Sequence, residues 1–437
     1  MKKNPLSKII IAIITLLIIG GILYQIPPIH DRFAWRLDEV RVIIKGYLSP
    51  PEKIAFAPAQ QQIEAIVSAT IAALNTATPT ITSTPTASLP TTPLPTATVT
   101  PKPTPLPNKV ALSGVRYMNQ HGLWNYCAPA NLAMALSFWG WKGDRLDTGK
   151  WLKPYDKDKN VMPYEMEAYV KEQTKLSAIV RVGGSIDLIK TFVANGFPVL
   201  VEKGAWIHDI SGVKSWMGHY VVVTGYDEVK NVFITQDSYF SPDFEVAYDD
   251  FIRGWRSFNY TYIMIYPPEK EATIKLILAD DWDEKTNYLN AAQFASDEIY
   301  QTEGVDQFFS WYNRATNLEE LQDYAGAAQA YDEAFKIYNQ LPEDRTIRPY
   351  RILWYETGPY FAYFYVNRYY DVLSLADTAI NAALDEPALE ESFYWRAMAK
   401  NALGDRDGAI ADFRESLKYH PDFEPTLYQL KLLGVEP

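Results

Sequence analysis

Cys127 is the only cysteine in the 437-residue sequence, and it lies where a polar, aromatic loop (QHGLWNYC) meets an apolar helical pattern (CAPANLAMALSFWGW). A single cysteine excludes an intramolecular disulfide and a four-thiolate zinc site. At a helix N-terminus, unpaired N–H groups and the helix dipole favour the thiolate over the thiol. This position predicts a nucleophilic thiol, which needs no metal or cofactor. The alternative is a small buried core cysteine.

A nucleophilic thiol needs a base that takes its proton and later delivers it to the leaving group. His219 follows Gly218 and begins the strand-like run HYVVVTGYD, so a rigid element would hold its ring towards the start of the helix. The other four histidines lie outside this domain, too close to Cys127 in the chain, or in an irregular loop: His30, His121, His208 and His420. We therefore predict His219 as the general base and acid.

Two further side chains complete this chemistry. Asp237 ends the next strand-like run, and adjacent antiparallel strands would bring it level with His219, where a carboxylate fixes the imidazole tautomer. Asp227 competes for this role, but its GYDE context is more typical of a turn. Gln120, seven residues before Cys127, could supply its amide to a developing oxyanion beside the Cys127 backbone N–H.

The elements that would position these residues occupy residues 108–268, which we assign to one globular domain. Small and apolar residues predict helices over Cys127–Trp139 and Ser185–Asn195. Runs rich in Val, Ile and Tyr then predict four strands: Phe197–Val201, His219–Thr224, Val232–Thr235 and Tyr260–Tyr266. Helices first and strands after indicate an α+β domain.

Residues 269–437 are predicted to form an all-α domain, because the β-branched runs give way to Ala-rich and aromatic-rich helical patterns. The stretches 311–335 and 393–421 alternate small and aromatic residues, and Tyr360–Ala383 is a weaker third copy. These stretches resemble tetratricopeptide repeats, whose concave face binds peptides or proteins. An unrelated helical bundle, or a repeat domain that only covers its neighbour, are the alternatives.

The N-terminal part predicts attachment to a membrane. Three lysines precede an apolar run, Ile9–Tyr24, and residues 1–28 read as an uncleaved anchor, with a cleaved signal as the alternative. The positive-inside rule then places the rest of the chain outside the cytoplasm. Residues 29–75 form a juxtamembrane helical segment, and the Thr/Pro-rich residues 76–107 form a linker that could extend on the order of 100 Å.

The ordered combination of Gln120, the helix that Cys127 begins, SIDLIKTFVANGFPVLVE, MGHYVVVTGYD and VFITQD resembles the bacteriocin-processing peptidases, the papain-like cysteine peptidase family thirty-nine. The resemblance covers residues 112–267. It implies Cys127 as nucleophile, His219 as general base and acid, Asp237 as orienting residue and Gln120 as oxyanion donor. Ala128 and Ser238 stand where members commonly have Gly and Pro. No phosphate-binding loop follows, so the transporter-fused form of the family is not expected.

The sequence thus predicts a membrane-anchored extracytoplasmic cysteine peptidase whose repeats bind a protein partner. Two alternatives remain: an acyltransferase that uses the same thioester, and an inert peptide-binding scaffold. The formal net charge of −12 disfavours nucleic acid as a partner, because phosphate binding needs clustered Lys and Arg.

Overall fold

The computed structural model describes residues 105–208, 214–383 and 385–437, together with residues 15, 20, 37, 40–48 and 54–56. Most of the predicted anchor, of the juxtamembrane segment and of the linker therefore lies outside the described residues. Within the described part of the chain, no helix is long and apolar enough to cross a bilayer.

One antiparallel sheet forms the centre of the N-terminal domain, in the order β2-β7-β3-β4-β5-β6, with β1 paired to β4. Its strands are β1 (Lys109–Ala111), β2 (Ser177–Arg181), β3 (Val199–His208), β4 (Lys214–Asp227), β5 (Val232–Gln236), β6 (Phe244–Ala247) and β7 (Tyr262–Tyr266). The helices of this region are α1 (Cys127–Phe138), α2 (Arg145–Leu152), α3 (Pro163–Gln173), α4 (Ile186–Ala194) and α5 (Tyr248–Arg256).

Helices cover both faces of this sheet, because the side chains of a strand alternate between the two faces and the central strands carry apolar residues on both. Leu200 of β3 and Val222 of β4 pack against α1, α2 and α3. Val201 and Val223, each one residue further along, pack against α4 and α5. The antiparallel sheet confirms the predicted α+β class, and α1 packs on one of its faces.

Two predicted strands are longer than their sequence patterns suggested. The β4 strand begins at Lys214, so His219 lies within the strand and not at its start. The added residues continue the ladder with β3, pairing Ser215 with Ile207 and Trp216 with Trp206. Trp216 is fully buried by residues that are distant in the chain, which a local pattern cannot indicate.

The C-terminal region is helical, as predicted. After two short 3₁₀ helices and α6 (Glu271–Leu278), it contains α7 (Glu284–Glu298), α8 (Gly304–Glu320), α9 (Tyr324–Gln340), α10 (Ile352–Tyr355), α11 (Gly358–Tyr365), α12 (Tyr369–Asn381), α13 (Glu390–Ala402), α14 (Arg406–Tyr419) and α15 (Glu424–Leu432). The pairs α8/α9, α11/α12 and α13/α14 coincide with the three stretches that resembled repeats.

The helical region and the β3–β4 hairpin share one hydrophobic core. The Trp216 ring of β4 stacks on Phe258 at 5.6 Å and on Phe309 of α8 at 5.9 Å between centroids, and meets Tyr355 of α10 edge-on at 5.8 Å. A Cβ at Gly218 would lie 2.7 Å from a Tyr355 ring carbon, so glycine permits this close approach. The helical region is thus packed directly on the sheet.

A short segment that precedes the linker in the chain lies on the helical region. Phe56 is buried between Phe335 and Tyr338, with ring centroids 5.1 and 4.9 Å away. Arg348 Nη1 donates to the Ile54 carbonyl oxygen at 3.2 Å, and Asn339 Nδ2 donates to that of Phe56. We call residues 54–56 the docked segment.

Candidate active site

Cys127 is the first residue of α1, as the sequence predicted. Its side chain is partly exposed, whereas residues 128–136 of the helix are buried against the sheet. Asn131, one helical turn later, donates from Nδ2 to the Cys127 carbonyl oxygen at 2.9 Å. The apolar body of α1 therefore fixes the backbone of Cys127 and leaves its sulfur accessible.

His219 and Asp237 form a buried pair, with 2.9 Å between His219 Nε2 and Asp237 Oδ1. The same oxygen accepts the backbone N–H groups of Tyr239 at 2.9 Å and Phe240 at 3.2 Å, so the turn after β5 holds the carboxylate in place. The second ring nitrogen, Nδ1, has no conventional hydrogen bond to a described residue. The pair leaves this nitrogen available for proton transfer.

The charges around His219 favour its protonated form. Burial alone would lower the pKa of His219, but the carboxylate of Asp237 and the nearby sulfur of Cys127 raise it to about 9. Burial would likewise raise the pKa of Asp237, yet His219 and the two backbone N–H groups hold it below its usual value. At neutral pH the site therefore contains an imidazolium ion within electrostatic reach of the Cys127 sulfur.

Gln120 is held by a chain of hydrogen bonds that starts at α1. Asn131 Nδ2 donates to Ser238 Oγ at 2.8 Å, and that hydroxyl donates to Gln120 Oε1 at 2.7 Å. The Gln120 backbone N–H also donates to the Ser238 carbonyl oxygen at 2.9 Å. These contacts use the side-chain oxygen of Gln120, and its Nε2 group donates to no described residue. Gln120 lines the same cleft as Cys127.

The cleft beside Cys127 has a volume of about 230 Å³ and receives residues from both regions of the chain. Gln120, Cys127 and His219 line it from the sheet domain, and Tyr355 lines it from the helical region. The three candidate residues thus share one cleft, and Asp237 lies directly behind His219.

Several residues of the site were not predicted from the sequence. The sequence could have indicated Asn131, because this polar residue interrupts an apolar helix one turn after the cysteine. Ser238 was noted only as a departure from the family pattern. Glu202 of β3 also lines the cleft, as does Tyr355. Neither had a local signal, since only tertiary packing brings them there.

The competing candidates occupy other environments. Asp227 accepts the backbone N–H groups of Val229 and Lys230, as the turn interpretation predicted. His121 and His208 line the cleft but are exposed, and His121 Nε2 lies 2.8 Å from the Tyr239 carbonyl oxygen. His420 lies 3.2 Å from Glu390 in the helical region, and His30 lies outside the described residues.

The sheet, the cysteine at the start of α1 and the buried His–Asp pair thus meet beside one cleft. Residues 112–263 match the model of the Peptidase_C39 like family, and residues 391–422 match the tetratricopeptide repeat. The chain therefore carries a C39-like peptidase domain and a tetratricopeptide repeat, which confirms the resemblance inferred from the sequence.

Two solved structures are similar to this chain. A C39-like peptidase from Bacillus anthracis has 21% identity and a TM-score of 0.30, and the match covers 36% of this chain and 96% of that one. Xylellain, a cysteine protease from Xylella fastidiosa, has 16% identity and a TM-score of 0.27, with 37% and 87% covered. A comparison with curated proteins gave no significant match.

Proposed function

We propose that this protein is a cysteine peptidase that hydrolyses peptide bonds through Cys127, His219 and Asp237, with Gln120 as oxyanion donor. The observation that carries the proposal is that Cys127 and His219 line one cleft and that His219 is hydrogen-bonded to the buried Asp237 at 2.9 Å. The C39-like peptidase match over 112–263 supports the same activity.

In the proposed acylation step, the Cys127 thiolate attacks the scissile carbonyl carbon. The carbonyl oxygen becomes an oxyanion, which accepts hydrogen bonds from Gln120 Nε2 and the Cys127 backbone N–H. His219 then gives its proton to the leaving amine, and the C–N bond breaks to leave a thioester on the sulfur.

In the proposed deacylation step, the neutral His219 takes a proton from water while the water oxygen attacks the thioester carbon. The C–S bond breaks, the peptide acid leaves, and the sulfur returns as a thiolate beside the imidazolium. Asp237 keeps the ring in one orientation throughout and stabilises its charge.

The test is cleavage of a peptide library by the full-length protein, with products identified by mass. We expect cleavage that disappears in Cys127→Ala and His219→Ala, and that falls about 10²–10³-fold in kcat in Gln120→Ala. Cleavage that survives in Cys127→Ala contradicts the proposal. Products that carry an added amine in place of water would instead identify an acyltransferase.

We further propose that residues 9–24 anchor the protein in a membrane and that the repeats bind a protein partner. The three lysines before the uninterrupted apolar run support the anchor, and the repeat match supports the partner surface. Alkaline carbonate extraction of membranes tests the anchor: a chain that is released at high pH is not inserted. Protease treatment of intact cells then tests on which side Cys127 lies.

A further inference from the structure

Glu202 is a buried carboxyl group in the wall of the cleft that the proposed mechanism does not use. It lies on β3 opposite Tyr220 of β4, and only 4% of the residue is exposed. Leu200, two residues earlier, packs on the α1 side of the sheet, so the strand alternation places Glu202 on the face where Cys127 lies. Both Glu202 and Cys127 line the cleft.

No described cation neutralises this carboxyl group. Lys159 also lines the cleft, but its Nζ pairs with Asp385 Oδ1 at 2.6 Å. The neighbouring Tyr220 hydroxyl donates its proton to the Val161 carbonyl oxygen at 2.9 Å and is also hydrogen-bonded to the Glu202 side chain, but Tyr220 carries no positive charge. Among the described residues, Glu202 therefore has no ion pair, so its charged form is disfavoured until a cation enters the cleft.

A second carboxyl group further disfavours the charged form of Glu202. Glu356 follows Tyr355 in the helical region, and its negative charge reaches Glu202. Burial, followed by this charge, raises the pKa of Glu202 well above its usual value, and burial raises the pKa of Glu356 to about 8. An incoming positive charge would favour ionisation of both groups.

The rest of the cleft suits the stem of a long basic side chain. Ile207 and Met217 provide apolar surface, and the aromatic residue Tyr355 also lines the cleft. Arginine fits this combination because its planar guanidinium pairs with carboxylates and also stacks on aromatic rings.

We propose that Glu202 binds the Lys or Arg side chain of a substrate residue that flanks the bond attacked by Cys127. The inference rests on the proposed peptidase function and adds the substrate class. A basic side chain allows Glu202 to ionise and pair with it, whereas the neutral isostere gains no such ion pair and is bound less well.

The experiment compares two peptides that differ only in arginine or citrulline beside the cleaved bond, since citrulline keeps the shape of arginine without its charge. For the full-length protein we expect kcat/KM to be on the order of 100-fold higher for the arginine peptide. In Glu202→Gln this ratio should fall below about fivefold. Glu165→Gln is the matched control, because burial also raises the pKa of Glu165 but this residue does not line the cleft. It should retain the full ratio.

Binding of both peptides to the Cys127→Ala protein, measured by titration calorimetry, separates the two proposals. Preferential binding of the arginine peptide without any cleavage by the wild type would overturn the peptidase function and support the Glu202 site. Equal binding and equal cleavage of both peptides, or a preference that survives in Glu202→Gln, would overturn the Glu202 site.

Discussion

Replacing Asp237 by Asn tests the electrostatic reasoning with little change in shape. The Asn side-chain oxygen can still accept from the His219 ring and from the backbone N–H groups of Tyr239 and Phe240, which now meet Asp237 Oδ1. The negative charge is lost. Since that charge opposes the effect of burial, the pKa of His219 should fall from about 9 to its ordinary 6.5 or lower.

The size of the effect follows from the fraction of imidazolium. At pH 8, a pKa of about 9 leaves about 90% of the ring protonated, whereas a pKa of 6.5 leaves about 3%. Because acylation uses the imidazolium form, kcat/KM of Asp237→Asn should be about 30-fold below wild type at pH 8 and within about twofold at pH 6. In the variant, the decrease of kcat/KM at alkaline pH should thus begin at a lower pH than in the wild type.

The assay is the pH profile of kcat/KM between pH 5 and 10 on one cleaved peptide, and its alkaline limb reports the coupled Cys127–His219 pair. Asp227→Asn is the matched control, because Asp227 ends the same strand as His219 but pairs with Lys109 at 3.0 Å. Its alkaline limb should coincide with that of the wild type. Coincident limbs for Asp237→Asn and wild type would refute the role of Asp237.

Three further predictions follow from other contacts. Ser238→Ala removes the hydroxyl that holds the Gln120 amide, and kcat should fall about tenfold with little change in KM; a larger change in KM than in kcat would contradict this. The folded state raises the pKa of Glu202 above its value of about 4.5 in the unfolded chain, so this carboxyl group destabilises the fold increasingly as the pH rises above 4.5. Glu202→Gln removes the carboxyl group, and urea unfolding should therefore show the variant more stable than wild type at pH 8 and equally stable near pH 4. Phe56→Ala empties its place between two aromatic rings and should lower the free energy of unfolding by about 3–5 kcal/mol, whereas an unchanged urea midpoint would show that the docked segment is not held there.

Local sequence patterns were sufficient to predict much of the C39-like domain. The change from polar loop to apolar helix indicated that α1 begins at Cys127, because a helix start depends on neighbouring residues. The β-branched runs indicated the central strands for the same reason. The predicted positions of Cys127, His219 and Asp237 followed from these elements, since each residue lies within an element or directly at its end.

The parts that escaped prediction depend on contacts between distant segments. Glu202 belongs to an apolar strand, and nothing in its neighbours shows that its face opens into the cleft. Tyr355 lies in the helical region and reaches the cleft only because Trp216 packs against that region. Such contacts are set by tertiary packing, which the periodicity of either segment alone cannot show.

The docked segment limits how far the catalytic cleft can move from the proposed bilayer. Described residues before and after the Thr/Pro-rich stretch contact one folded body, at Phe56 on one side and at β1 on the other. Lys45 Nζ also reaches that body, donating to the Ala383 carbonyl oxygen at 3.0 Å. From the end of the apolar run to Lys45, even a fully stretched chain covers only about 70 Å. With the proposed anchor, this short segment limits the distance between the folded body and the bilayer, and lengthening the Thr/Pro-rich stretch would not increase that distance.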